Sequence, residues 1–204
     1  MSFVYSIRYT LYFTLISGLT GCASVIEPEL PSGEHISEIV EFNQIAYQKV
    51  KSRIMEYGGG EENLAFVDFS QPSELERLYV VDLRTDRVIK RSLVSHAKNS
   101  GYRRALEFSN VKGSKMSSLG LYQADNTYDG KNGYSLRIDG LDTGLNENAR
   151  ERFIVVHGSD YASYEYIELN GMLGRSDGCF AIPFEKHVSI IDSIKDGGYI
   201  FAID

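Results

Sequence analysis

The sequence predicts a mainly β domain with helices at its flanks, arranged as a β-sandwich or partial barrel. Short apolar runs of strand length follow one another through residues 61–204, and clusters of Gly, Asn, Asp and Ser separate them. Helical periodicity is confined to two stretches, 35–57 and 184–195. The chain has 204 residues, of which 43% are hydrophobic and 24% charged, and this composition supports a globular protein with a sizeable core.

The first predicted element is a helix over residues 35–57, whose apolar side chains recur at helical period and which three glycines terminate. Two runs, 78–83 and 88–94, are joined by a polar turn and form a predicted β-hairpin. A last helix over 184–195 begins after Pro183 and ends at two glycines. The other predicted strands are residues 64–69, 120–124, 135–141, 153–156, 179–182 and 199–203.

The N-terminus has the layout of a secretory signal peptide. Arg8 is the only charged residue before an uncharged run over residues 9–26, which contains small residues around Cys22. A membrane-spanning helix needs about 20 predominantly apolar residues, and this run holds too many Thr, Ser and Gly residues for that. The four residues Leu-Thr-Gly-Cys that end at Cys22 resemble a bacterial lipobox. A conventional secretory signal cleaved at another position is the alternative.

The lipobox resemblance implies that the chain is cleaved before Cys22 and acylated on the Cys22 sulfur, which would anchor the exported protein to the cell envelope. Ala23, rather than Asp, follows the cysteine. In a Gram-negative cell this implies the periplasmic face of the outer membrane. The predicted organisation is a signal peptide over 1–21, a tether over 22–34, an N-terminal helix over 35–60 and the main domain over 61–204.

The charge balance argues against nucleic acid as a partner. The chain has 21 Lys and Arg against 28 Asp and Glu, a net charge of −7 and a pI of about 5.2, whereas nucleic-acid-binding proteins usually present a basic face. Cleavage before Cys22 removes Arg8 and changes the net charge from −7 to −8. The two cysteines cannot form a disulfide framework. If lipid occupies Cys22, Cys179 stays unpaired, and a free thiol in an oxidising compartment needs a use or burial.

Cys179 and His157 are the candidate reactive residues. His157 follows the apolar run 153–156, and Cys179 precedes another, so both side chains are expected at strand ends. An imidazole beside a thiol suits acyl transfer, because it takes the thiol proton and later protonates the leaving amine. Backbone N–H groups near a glycine can hold the oxyanion. Taken alone, however, a lone cysteine is more often a small core residue, and a strand-ending histidine a satisfied polar group.

The sequences His-Gly at 157–158 and Ser-Asp-Gly-Cys at 176–179 resemble the signature of the L,D-transpeptidase (YkuD-like) catalytic domain. In that family a histidine is followed, after a short gap, by Ser/Thr-X-Gly-Cys. The chain is most similar to the divergent branch of murein L,D-transpeptidase catalytic domain proteins. The resemblance implies a β-sandwich-like catalytic domain. Further matching blocks occur in order at residues 94–101, 108–110, 117–122, 130–136 and 144–150.

The resemblance implies that Cys179 is the nucleophile and His157 the general base. Gly158 would orient the imidazole through its backbone, Gly178 and Cys179 would donate N–H groups to the oxyanion, and Ser176 would support the loop by hydrogen bonding. The implied substrate is a peptidoglycan stem peptide. The enzyme would attack the L-centre of a diamino acid joined to a terminal D-alanine, release the D-alanine, and pass the acyl group to an amine or to water.

Two positions depart from the family pattern. Asp177 stands where a second histidine is common, and an anion near the oxyanion would repel it, so we expect Asp177 to point away or to pair with Arg175. Ala181 stands where a polar residue is common, so the substrate carboxylate must be bound elsewhere. Arg175 is the first candidate, because a guanidinium binds carboxylates bidentately. The alternative is a plain surface arginine.

His96 and Tyr161 are further candidates for substrate binding. His96 lies just past a predicted strand, and a structural hydrogen-bonding role is the alternative. Tyr161, with Tyr164 and Tyr166, lies between His157 and the cysteine motif and is expected to form a lid or substrate wall, or else to pack as loop aromatics.

Neither a metal nor a cofactor is predicted. No pair among the four histidines has metal-ligand spacing, and the sequence contains no CxxC or HExxH motif. His35 and His187 are expected to be structural.

Three functions stay open. The first is a transferase that joins stem peptides. The second is an L,D-carboxypeptidase or hydrolase of the same bonds, and the third a non-catalytic peptidoglycan-binding lipoprotein, suggested by Asp177 and Ala181. A papain-like protease is disfavoured, because there the cysteine precedes the histidine in sequence. The acceptor and the oligomeric state are left open.

Overall fold

The structure is a computed structural model that describes residues 33–204. The prediction of a mainly β domain is confirmed. Within the described residues the strands form one mixed nine-stranded sheet with the order β1-β4-β3-β2-β9-β5-β6-β7-β8. The strands are β1 Glu34–His35, β2 Asn63–Asp68, β3 Leu78–Asp82, β4 Arg87–Ser92, β5 Gly120–Gly130, β6 Gly133–Gly140, β7 Val155–Gly158, β8 Phe180–Ile182 and β9 Tyr199–Ile203.

Two antiparallel groups of strands make up the sheet, β1 to β4 on one side and β5 to β7 on the other. β9 joins them, because it pairs parallel with β2 and antiparallel with β5. Beyond β4 the chain returns to the opposite edge, where Ser95 forms a bridge to Ala181 of β8. The sheet therefore curls towards closure, as the predicted partial barrel requires.

The structure has three α-helices in the described residues: α1 Gln44–Glu56, α2 Tyr164–Asn170 and α3 Phe184–Ile194. α1 begins later than predicted, because residues Ile36–Glu38 form a 3-10 turn and the Asn43 side chain caps the helix by accepting from the Ala46 N–H at 3.0 Å. α2 was not predicted. Ser163 caps its start, and Gly171, with a φ of 74°, terminates it.

The sheet is buried on both faces, which explains the continuous apolar run of β2. Ala65 and Val67 face the core inside the curl, which α3 helps to fill, whereas Leu64 and Phe66 face the core under α1. We call this second core the α1 face. The ring of Phe42 contacts three other aromatic rings there, with centroid distances of 4.9 to 5.5 Å. The predicted helical segment over 35–60 thus shares a core with the sheet.

The predicted signal peptide, the Cys22 lipidation site and residues 22–32 of the predicted tether lie outside the described residues. Within residues 33–204, no helix is long and apolar enough to cross a membrane.

Candidate active site

The parallel pairing of β7 and β8 brings His157 and Cys179 together. Val156 pairs with Phe180 and His157 with Ala181, so Cys179, just before β8, lies beside the strand that carries the histidine. Both side chains line one cavity of about 320 Å³. We call this region, from the turn before β7 to the end of β8, the β7–β8 edge. The cavity is lined by Lys98, Lys131, Asn132, His157, Tyr161, Arg175, Ser176, Asp177 and Cys179.

His157 is held in the tautomer that a general base needs. Its Nδ1 lies 2.8 Å from the Gly158 carbonyl oxygen, and because a carbonyl only accepts, Nδ1 carries the proton and Nε2 has the free lone pair. Burial lowers the pKa of His157, and the nearby His187 lowers it further, so the ring is neutral at pH 7. Gly158 leaves no room for a side chain, since a Cβ there would lie 2.5 Å from Phe184 Cδ1.

Cys179 is a free, half-buried thiol. Burial raises the pKa of its thiol and the Asp177 carboxylate adds to this, while the Val155 N–H and the Arg152 charge oppose it. The thiol donates to the Phe153 carbonyl over 3.5 Å. Burial thus shifts the pKa values of both groups towards their uncharged forms, the thiol of Cys179 and the neutral imidazole of His157.

Ser176 organises the loop before Cys179. Its hydroxyl donates to the Cys179 carbonyl at 2.7 Å and accepts from the Gly178 N–H at 3.1 Å, and its own N–H donates to the His96 carbonyl. The Gly178 N–H thus already donates to Ser176 in this structure, and its role as an oxyanion donor stays a prediction. Gly178 has a φ of 135°, and a Cβ there would lie 2.5 Å from Ile154 Cδ1.

The turn before β7 ends in an unusual residue. The Ile154 N–H donates to Ala149 and the Phe153 N–H to Arg150, the paired bonds of a Schellman motif. The left-handed position of this motif is usually glycine, but here it is Phe153, with a φ of 57° and a side chain 78% exposed. This strained residue supplies the carbonyl that accepts from the Cys179 thiol.

Asp177 pairs with Lys98, with a distance of 3.1 Å between its Oδ1 and Lys98 Nζ, instead of with Arg175. Both side chains are more than half exposed, so the pair contributes little to stability. Asp177 lines the cavity beside Cys179 and adds a negative charge there.

Arg175 lies where the first cavity meets a second cavity of about 440 Å³. Its guanidinium lies over the Tyr102 ring at 4.9 Å and donates to the Gly101 carbonyl at 3.1 Å. Tyr161 and Lys98 also line both cavities, and Tyr166 lines the second. The tyrosine-bearing segment predicted as a wall or lid thus borders both cavities.

His96 does not line either of these cavities, which corrects its prediction as a substrate-binding residue. The side chain has no exposed area, because it fills the space beneath the loop over residues 97–101. Arg77 donates to its Nδ1 at 2.9 Å, so Nδ1 is unprotonated and Nε2 carries the proton. Burial and the Arg77 charge lower the pKa of His96 to about 4. Its backbone carbonyl positions Ser176.

Five residues near the thiol were not predicted: Lys98, Lys131, Asn132, Arg152 and Phe153. Lys98 lies in a block that matches the family, but nothing in the sequence marked its side chain as part of the cavity. Arg152 precedes the strand that carries His157. The sequence signal that could have identified it is a charged residue directly before an apolar run. Within residues 33–204, no group of three His, Cys, Asp or Glu side chains is placed to hold a metal ion.

The chain matches the family model of the L,D-transpeptidase catalytic domain over residues 36–203, and it therefore belongs to this family. No curated protein shows significant sequence similarity to it.

Among solved structures, the chain is similar to an L,D-transpeptidase from Mycobacterium smegmatis, with 14% identity and a TM-score of 0.42 over 70% of this chain. It spans 59% of the length of that protein. An L,D-transpeptidase from Stackebrandtia nassauensis matches with 12% identity and a TM-score of 0.43, over 72% of this chain and 57% of the other.

Proposed function

We propose that the protein is a cell-wall cysteine acyltransferase that acts on peptidoglycan stem peptides, by L,D-transpeptidation through a Cys179 thioester. The observation that carries the proposal is that a free thiol and an imidazole line one cavity, while His157 Nδ1 donates to the Gly158 carbonyl and leaves Nε2 free. Membership of the family supports this assignment.

In the proposed first half-reaction, His157 Nε2 takes the Cys179 thiol proton while Sγ attacks the carbonyl carbon of the diamino acid joined to D-alanine. The tetrahedral oxyanion collapses, and the C–N bond breaks. The imidazolium gives its proton to the nitrogen of D-alanine, which leaves as the free amino acid. The acyl group remains on Cys179 as a thioester.

In the second half-reaction, an acceptor amine attacks the thioester carbonyl and His157 takes a proton from the amine. The C–S bond then breaks, and the proton returns to the sulfur. A new amide is formed and the thiol is restored. When water replaces the amine, the same steps give hydrolysis.

Local positive charge supports an anionic substrate, although the chain as a whole carries −7. Lys98, Lys131 and Arg175 line the cavity that holds the thiol. We propose that Arg175 binds a substrate carboxylate at the junction of the two cavities and that Tyr161 forms part of the wall beside it.

We also propose that the protein is exported and anchored through lipid on Cys22, on the periplasmic face of the outer membrane. The sequence around Cys22 supports this. Metabolic labelling with a lipid precursor tests it, and an equal label on the Cys22→Ala variant would contradict it.

The catalytic proposal is tested by incubating the full chain, purified in detergent, with tetrapeptide muropeptides and measuring free D-alanine and cross-linked products. We expect both products from the wild type and neither from His157→Ala. His35→Ala is the matched control and should keep full activity, because His35 lies on β1 away from the cavity. A folded wild type that releases no D-alanine would contradict the proposal.

Addition of an amine acceptor separates the transferase from the carboxypeptidase. Transfer products that grow at the expense of hydrolysis indicate the transferase, whereas hydrolysis that is unaffected by the acceptor indicates a hydrolase.

A non-catalytic wall-binding role has specific support, since the Cys179 pKa is raised and the Gly178 N–H is occupied. Peptidoglycan binding unchanged by Cys179→Ser, together with a Cys179 inert to carbapenems, would favour this second candidate.

A further inference from the structure

Arg152, in the turn before β7, has a half-buried guanidinium whose hydrogen bonds go only to neutral oxygens. Nη1 donates to the Ser109 carbonyl at 2.6 Å and to the Ser118 hydroxyl at 3.1 Å, and Nη2 donates to the Met116 carbonyl at 2.5 Å and to the Ser114 hydroxyl at 3.4 Å. Among residues 33–204, no carboxylate lies within salt-bridge distance of it. Its positive charge is therefore fixed in place without a bonded anion.

This charge lies beside the reactive loop. A Cβ built on Gly178 would be 3.4 Å from Arg152 Nη2, so the guanidinium lies on the side of Gly178 where a side chain would be, next to the residue before the nucleophile. Burying a cation without a counter-ion is costly, and a cation placed in this way can stabilise a negative charge that develops next to it. Here the developing charges are the Cys179 thiolate and the oxyanion attached to its acyl group.

We propose that Arg152 stabilises, through its fixed charge, the negative charge that develops on Cys179 Sγ and on the oxyanion. Its contribution to the oxyanion rests on the proposed function, whereas its effect on the thiol does not. Arg152 acts through its charge next to Gly178, and this role is distinct from the substrate binding proposed for Arg175.

Arg152 differs from the other charged groups around Cys179, because its half-buried guanidinium is held in place by four hydrogen bonds. Burial lowers the pKa of His157, which disfavours a positive charge on this imidazole at pH 7. Asp177 opposes thiolate formation, and its partner Lys98 is more than half exposed, so solvent screens that pair. Lys131 and Arg175 line the same cavity. Because the Gly178 N–H already donates to Ser176, the developing oxyanion needs another source of positive potential.

The experiment measures the rate of Cys179 alkylation by iodoacetamide against pH in the full chain, with the modified Cys179 peptide quantified by mass spectrometry. We expect Arg152→Gln to raise the midpoint of the profile by about one pH unit, because it removes a nearby opposite charge. Arg152→Lys should restore most of the shift, since it keeps the charge. Arg87→Gln is the matched control, because Arg87 also donates to a backbone carbonyl but lies at the start of β4 and not beside Gly178.

An unchanged midpoint in folded Arg152→Gln would overturn the proposal. A shift in Arg152→Lys as large as in Arg152→Gln would overturn it too, because it would mean that Arg152 only shapes the loop over residues 109–118. Alkylation needs no peptidoglycan, so a shifted midpoint without D-alanine release would contradict the proposed function alone.

A measurement on the wild type covers the case in which the variants do not fold. Side-chain 15N NMR of Arg152 should show a shift whose midpoint matches that of Cys179, and prior alkylation of Cys179 should abolish it. An Arg152 signal that does not change when Cys179 ionises would overturn the proposal.

Discussion

The α1 face and the β7–β8 edge are built by different rules. At the α1 face, apolar side chains of the helix and of β2 and β3 bury one another, with Phe42 at the centre of an aromatic cluster. The β7–β8 edge instead buries polar groups, among them His157 and Ser176, and places Phe153 in a left-handed conformation. The comparison teaches that apolar burial alone builds the core of the α1 face, whereas the edge that carries the candidate site also holds buried polar side chains and a strained turn.

The largest expected effect concerns activity at the β7–β8 edge. Cys179→Ala should abolish D-alanine release, because the nucleophile is lost, while the free energy of unfolding changes by less than about 1 kcal/mol at this half-buried site. Product analysis and urea unfolding of the same sample check both expectations. Wild-type turnover in this variant would exclude the thioester.

The opposite pattern is expected at the α1 face. Phe66 has no exposed area, so Phe66→Ala should lower the free energy of unfolding by about 3–5 kcal/mol. The fraction that stays folded should alkylate Cys179 at the wild-type rate. Ile45→Ala is the control, since Ile45 on α1 is 73% exposed and should change stability by no more than about 0.5 kcal/mol. If Phe66→Ala lowered the free energy of unfolding by less than about 1 kcal/mol, the proposed difference between the α1 face and the β7–β8 edge would be contradicted.

Acid should lower the free energy of unfolding through His96, whose backbone carbonyl accepts from the Ser176 N–H in the loop before Cys179. Its folded pKa is lowered to about 4, so between the ordinary value and about 4 only the unfolded state takes up the proton. The free energy of unfolding should therefore fall as pH falls through this window, by about 3 kcal/mol from this group. Urea unfolding at pH 7 and pH 4 measures the loss.

His96→Gln removes the titrating group and should flatten this pH dependence, whereas His35→Gln should leave it unchanged. An equally steep loss in His96→Gln would assign the acid sensitivity to other groups.

The smallest effect concerns the strained turn. Phe153→Gly should be more stable than Phe153→Ala by about 0.5–1 kcal/mol, although glycine usually weakens folded chains, because only glycine adopts a φ of 57° without strain. Thermal unfolding of both variants checks this. Equal stability would mean that the turn relaxes at little cost.

The sequence predicted the parts of the fold that depend on local pattern. The two strands of the β3–β4 hairpin and the helix after Pro183 are visible as periodicity and turn residues. The late start of α1 was missed because the apolar spacing continues through the 3-10 turn at Ile36–Glu38. α2 was missed because it is short and none of its residues is buried.

The candidate site was predicted only where residues are close in sequence or share a motif. Motif resemblance singled out His157 and Cys179, and the structure places both in one cavity. The Lys98–Asp177 pair and the position of Arg152 depend on segments distant in sequence, and no local pattern encodes such contacts. His96 was instead predicted to lie in the site but is buried. The sequence pattern of a histidine after a strand is the same whether the side chain faces a cleft or the core.

The central position of β9 has a consequence for how the chain folds. β9 holds the two groups of strands together, yet residues 199–203 follow every other strand in sequence. Neither half of the sheet has its central neighbour until residue 203 has been synthesised, and the pairing of β9 with β2 closes a loop of more than a hundred residues, as the pair Leu64 and Tyr199 shows. Such distant pairing slows folding, and the growing chain on the ribosome would expose the edges of β2 and β5 until β9 arrives.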